Sequence, residues 1–153
     1  MKNTSGLTLI EILVTSAIIM TVSGLGLAAY INFNNRQVLN ATTDELKNNL
    51  RQARGWAMAG RKFGYCGDDD RLANYQISFF PDDKYEIALT CLNNPNPISI
   101  NSFSYDEKVT ISSDQNPIIF SPLTGGTGED VIINLSLGTR TRQLNINTNG
   151  EIN

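Results

Sequence analysis

The sequence contains no histidine. That absence excludes Ser-His-Asp and Cys-His catalysis and removes the commonest transition-metal ligand, so an enzymatic reading has no constellation behind it. No catalytic residue, no metal ligand and no cofactor is assigned from the residues present. Proline is missing before Pro81, and no Asp, Glu, Lys or Arg stands between Glu11 and Arg36. The first absence leaves nothing that must break a helix in the first half of the chain. The second leaves an uncharged run whose stretch from Ile12 to Ile31 covers roughly 30 Å as a helix at about 1.5 Å per residue, the depth of a bilayer's hydrocarbon. Net charge is also small, −3, becoming −4 if Lys2 is lost, which gives no global pull on nucleic acid. A length of 153 residues fits one globular head beside one membrane anchor.

Within the anchor, Glu11 is the most informative residue. A charge in such a segment costs from about 2.5 kcal/mol upward on insertion scales, so it asks for a partner or a function. The plain alternative is a carboxylate at headgroup level that ends the span. An ordinary secretory signal carries its apolar region ahead of the cleavage site and loses it on processing. Here the apolar run follows Gly6, while Lys2 and the free amine hold the short leader on the cytoplasmic side and place the head outside.

A short polar leader, Gly6, the apolar Leu7 and Glu11 five places after the glycine resemble the class III signal of type IV pilins and pseudopilins. The resemblance implies cleavage between Gly6 and Leu7 by a prepilin peptidase and methylation of the new amino terminus on Leu7. It also implies that Glu11 neutralises the terminal amine of a neighbouring subunit inside a filament. The chain departs from the family at Leu7, where Phe is usual, and at Ala28, where many members carry Pro. With Gly24 and Gly26 instead of that proline, the anchor is expected to be continuous through Ala28.

Beyond Ile31 the chain turns polar, yet Leu39, Leu46, Leu50, Ala53 and Ala57 recur at helical spacing and form one stripe. Asp44, Glu45, Lys47, Asn48, Arg51, Gln52 and Arg54 fall on the other faces, so a sheet or partner helices must cover the stripe. One helix from about Leu7 to Met58 is predicted, with Gly60 and Gly64 as stop signals. The segment Leu50-Arg51-Gln52-Ala53-Arg54-Gly55-Trp56-Ala57 resembles the helix of H-type minor pseudopilins and their FimT relatives, although good helix formers would stand there for propensity alone.

From Ala73 the period changes to two. Tyr75, Ile77 and Phe79 alternate with polar residues, as do Tyr85, Ile87, Leu89 and Cys91 with Glu86 and Thr90, and Pro81 to Lys84 supplies the turn of a hairpin. Asn93 to Pro97 reads as a loop. Further strands are predicted at 98–105, 108–112, 117–120, 130–137 and 142–147, and Asn149-Gly150 turns into a short tail. Leu123 to Gly128 has no phosphate-binding Lys and reads as a flexible hairpin connection, not a P-loop. The order of a strand through Ile119 and Phe120, a Gly-rich turn and a strand from Val131 to Leu137 again resembles the H/FimT head.

Remaining clusters carry less. Cys66 and Cys91 lie beyond the anchor, where an even count favours a disulfide; the other reading is a pair of small buried thiols, since Cys91 shares a face with Ile87 and Leu89. Asp68, Asp69 and Asp70, with Asp82 and Asp83, lack EF-hand spacing and read as a solvated acidic loop before a calcium site. Arg51, Arg54, Arg61 and Lys62, with Arg140 and Arg142 farther on, are candidate DNA contacts, weighed against an ordinary solvated face. Gly24, Gly26 and Ala28 lack GxxxG spacing, and Trp56 reads as a packing residue.

The expected architecture is α+β, in the manner of type IV pilins: a long N-terminal helix, its first half transmembrane, packed on a small antiparallel β-sheet head. The expected divisions are a leader at 1–6, an anchor at 7–31, an amphipathic helix at 32–64 and a head at 65–153. The implied role is structural, a minor pilin or pseudopilin assembled into a type IV pilus or type II secretion pseudopilus. Its implied partners are prepilin peptidase, other pilins, an inner-membrane assembly platform and membrane lipid. The alternatives are a head that binds DNA or another ligand, and an anchored surface protein that is never processed.

Overall fold

Helix α1 runs from Leu9 to Met58 and passes through Gly24 and Gly26 without a break. In this computed structural model the described residues are 8–153, the side chains at 25, 26 and 28 excepted; the leader and the cleavage position at Gly6 and Leu7 lie outside them. The helix ends in a Schellman arrangement, in which the Arg61 N–H donates to Trp56 O at 3.1 Å and the Gly60 N–H to Ala57 O at 3.0 Å. The chain divides into two compact units, Met1–Gln37 and Val38–Asn153. That division falls later than the 31/32 boundary read from hydropathy, because Ile31 to Arg36 is hardly covered and burial starts at Leu39.

In the second unit the five stripe residues, Leu39, Leu46, Leu50, Ala53 and Ala57, are all buried. They share one apolar cluster with residues from seven strands or their flanks. β1 (Leu72–Phe80), β2 (Lys84–Cys91), β3 (Ile98–Ser104) and β5 (Ile118–Phe120) form a sheet in the order β3-β2-β1-β5; β4 (Thr110–Ser113), β6 (Val131–Leu137) and β7 (Arg140–Ile146) form a second in the order β4-β6-β7. Every pairing is antiparallel. The layout is therefore α+β, with two small sheets where the sequence suggested one.

Three readings are corrected by the structure. Leu123 to Gly128 is not a hairpin connection, since β5 and β6 belong to different sheets. Instead the Leu123 N–H donates to Ala57 O at 3.0 Å, which satisfies one of the carbonyls that a helix end leaves open. Thr90, read as lying on a wet face of β2, is buried, as is Ala88; alternation along one strand does not report what covers its other side. β7 starts at Arg140, not at 142, because Gly138 and Thr139 alone turn the chain and set Leu137 opposite Arg140.

Tyrosines tie the first sheet to the helix. The Asn49 amide donates to the Tyr85 hydroxyl at 2.7 Å, and the Tyr85 ring stacks on Phe103 with centroids 5.2 Å apart. Tyr75 donates its hydroxyl to Arg61 O at 2.7 Å. Burial pushes Tyr75 up to about 12 against the opposing pull of the Arg61 charge. Burial likewise pushes Tyr85 up to about 12, with the Asn49 bond opposing and Glu45 adding to the rise. In the unfolded chain both ionise near about pH 10, so between the two values the folded state holds more protons. Stability is then full below the unfolded value and is lost as pH rises toward 12. Melting midpoints should fall between about pH 9 and about pH 11 and fall less for Tyr85→Phe; the same slope in both proteins would contradict this assignment.

Candidate functional site

The apolar part of α1 is the most unusual surface in the first unit. Its most apolar window has a mean hydropathy of 2.0 and none of it is buried, so α1 is long and apolar enough to cross a membrane. Leu9, Ile10 and Met20 are 70–78% exposed, where a soluble protein would cover such a run. Three hydroxyls in this stretch turn back onto the helix: Thr15 donates to Glu11 O at 2.9 Å, Ser16 to Leu13 O at 2.9 Å and Thr21 to Ile18 O at 2.8 Å. These three hydroxyls are thereby satisfied without water, the condition that a hydrocarbon environment imposes.

Glu11 is exposed near the start of this run. Its carboxylate lies 3.4 Å from the Thr8 N–H and 3.5 Å from the Thr8 hydroxyl, while the Glu11 N–H faces the Thr8 oxygen at 3.4 Å. This is the reciprocal geometry of a capping box at long distances, with the anionic side chain at the positive end of the helix dipole. The pattern Thr8-Leu9-Ile10-Glu11 announces it in the sequence, and sequence reasoning that asked only for an external partner for Glu11 passed over it.

The four candidate DNA contacts do not stand together as one free patch. Arg54 is half-buried, donates from Nη2 to Asn149 O at 3.0 Å and has its Nε buried without a partner. Arg51 reaches Ile152 O at 3.5 Å, so both arginines face the carboxyl-terminal tail. Arg61 lies over the Phe63 ring at 5.3 Å, and Lys62 Nζ approaches Asp68 O at 3.5 Å. Arg142 donates from Nε to Asn40 Oδ1 at 3.2 Å. Trp56 packs edge-on to Phe63 at 5.0 Å and tilts toward Tyr75 at 6.0 Å.

Cys66 and Cys91 are joined by a disulfide, with Cα atoms 5.7 Å apart and both residues buried. Asp70 accepts the Asn93 N–H at 3.0 Å, and among the described residues no three acidic or cysteine side chains converge to hold a metal ion. The chain matches no protein-family model, no curated protein and no solved structure. The functional reading therefore rests on the geometry of the helix and on the motif around Gly6.

Proposed function

We propose that this chain is a minor pilin or pseudopilin, with a type IV pilin-like fold, that is cut between Gly6 and Leu7 and assembled through α1 into a filament. The observation that carries the reading is the uncovered apolar helix with one carboxylate at its start. Such a helix has two natural environments, a bilayer before assembly and the packed helices of neighbouring subunits after it. Glu11 supports the second. Its carboxylate sits beside Thr8, one residue from the amine that cleavage would create on Leu7, where an incoming subunit's amine would find a charge partner.

The deciding experiment is intact mass after co-expression with a prepilin peptidase shown to process a known prepilin. The native chain should lose residues 1–6 and gain a methyl group, while Gly6→Ala should stay uncut. A native chain that also stays uncut would remove the filament reading and leave an anchored surface protein.

A further inference from the structure

The tail after β7 is joined to it by a tight turn at Asn147 to Gly150, closed by the Gly150 N–H donating to Asn147 O at 2.7 Å. Every main-chain N–H from Asn147 to Glu151 is engaged. Asn147 donates to Glu151 O at 3.0 Å and Thr148 to the Asp130 carboxylate at 2.9 Å, while Asn149 and Glu151 both donate to Asn147 Oδ1, at 3.1 and 2.9 Å. The Asn149 side chain is the exception, being exposed and without a hydrogen bond to any described residue. Of the asparagines in the chain, Asn149 alone is followed by glycine.

An asparagine before glycine carries a reaction of its own, because no Cβ on the next residue shields the main-chain nitrogen. Gly150 N gives up its proton to base and attacks Asn149 Cγ; the Cγ–Nδ2 bond breaks, Nδ2 takes up a proton and leaves as ammonia, and a succinimide ring joins the two residues. Water then opens the ring at either carbonyl. One opening leaves aspartate in the original main chain; the other leaves isoaspartate, whose main chain runs through Cγ and is longer by a carbon. The turn holds this reaction off. Neither Thr148 nor Asn149 has a positive φ, so the turn is type I, with Asn149 ψ at roughly 0°. Ring closure needs Gly150 N eclipsed with Asn149 Cβ about the Cα–C bond, a large rotation away from that ψ. The planar 149–150 peptide must rotate as a unit, and it is pinned at both ends, its N–H on Asn147 O and its carbonyl on Arg54 Nη2 at 3.0 Å. Reaction therefore requires both bonds to break first.

We propose that Asn149 is a self-modification site, where opening of the tail turn permits succinimide formation with Gly150 and the isoaspartate that follows makes release of the tail irreversible. The extra main-chain carbon of isoaspartate has no room at this place, since even a Cβ on Gly150 would overlap Gly125 O. The Arg54 bond to Asn149 O and the pairing of the buried Ile152 with Ile146 then cannot re-form. Aspartate keeps the original main chain and lets the turn close again. This proposal concerns the head alone and stands whether or not α1 enters a filament.

The test uses the full chain in detergent micelles, held in mildly alkaline buffer with and without guanidinium chloride, with each asparagine followed by peptide mapping. In denaturant Asn149 should deamidate faster than any other asparagine. Without denaturant its rate should fall by roughly tenfold or more, because only the open fraction reacts. Arg54→Gln, which frees one end of the 149–150 peptide, should raise the rate without denaturant by roughly threefold or more and leave the rate in denaturant unchanged. Asp130→Ala, which loosens the turn at Thr148 instead, should act in the same direction. Chains carrying isoaspartate, recognised by an isoaspartyl methyltransferase, should show fast amide exchange at Asn147 and Gly150, whereas Asn149→Asp should exchange as slowly as the native chain. Equal rates with and without denaturant, another asparagine reacting first in denaturant, no acceleration in either variant, or native exchange in isoaspartyl chains would each overturn the proposal.

Discussion

Replacing Gly150 by alanine is expected to destabilise the head by about 3 kcal/mol, and two separate terms make up the loss. Gly150 sits at φ +78°, a left-handed conformation that costs an ordinary residue roughly 1–2 kcal/mol. A methyl group built there would also overlap the carbonyl oxygen of Gly125 and come 3.0 Å from Arg54 Nε. The first obstacle is backbone and cannot rotate away, so the 121–126 loop and the tail must separate, at the roughly 1–3 kcal/mol typical of overpacking. Separation also threatens the Arg54 bond to Asn149 O and the burial of Ile152.

Gly64 is the control that tells the two terms apart. It has a similar φ of +76°, but a methyl group there would meet nothing within 4 Å. Gly64→Ala should therefore show the conformational term alone, about 1 kcal/mol. Denaturant unfolding of the full chain in micelles, followed through Trp56, would give both values. Equal losses in the two variants would mean that the close approach at Gly125 is not tight in solution.

That clasp also shows where the sequence stopped being legible. The stripe from Leu39 to Ala57 could be read because helical spacing is local, and all five residues are buried as their spacing predicts. The hairpin of β1 and β2 was equally readable from the turn residues between Pro81 and Lys84. The division into two sheets was not, because strand period says nothing about which strand pairs with which. Arg54 and Asn149 are 95 positions apart, and Arg51 and Ile152 are 101. Propensity makes arginine a good helix residue and charge makes it a candidate phosphate contact, but neither reveals a tail folding back onto it. At Glu11 the signal is local, since Thr8-Leu9-Ile10-Glu11 places a threonine three residues before a glutamate, the spacing of a capping box.

The second large effect is expected at the disulfide. Cys66 and Cys91 lie 25 positions apart, and closing a loop of that size lowers the entropy of the unfolded chain by an amount equivalent to about 3.5 kcal/mol at 25 °C. Other contacts hold the same segment: Tyr75 to Arg61 O at 2.7 Å, Leu92 N–H to Arg71 O at 2.8 Å and Asn93 N–H to Asp70 at 3.0 Å. Each contributes about 1 kcal/mol net, so together they can keep the 59–71 segment near its place while the fold loses stability. The double variant Cys66→Ala, Cys91→Ala should thus remain folded at 25 °C with a lower denaturant midpoint and an unfolding free energy reduced by about 3 kcal/mol. Trp56 is the single tryptophan and packs on Phe63 inside this segment, so its fluorescence reports the change directly. Reductant should shift the native chain toward the variant and leave the variant itself unmoved. A shift below about 1 kcal/mol would show that the unfolded chain already holds these two positions close together, so that the covalent bond removes little of its freedom.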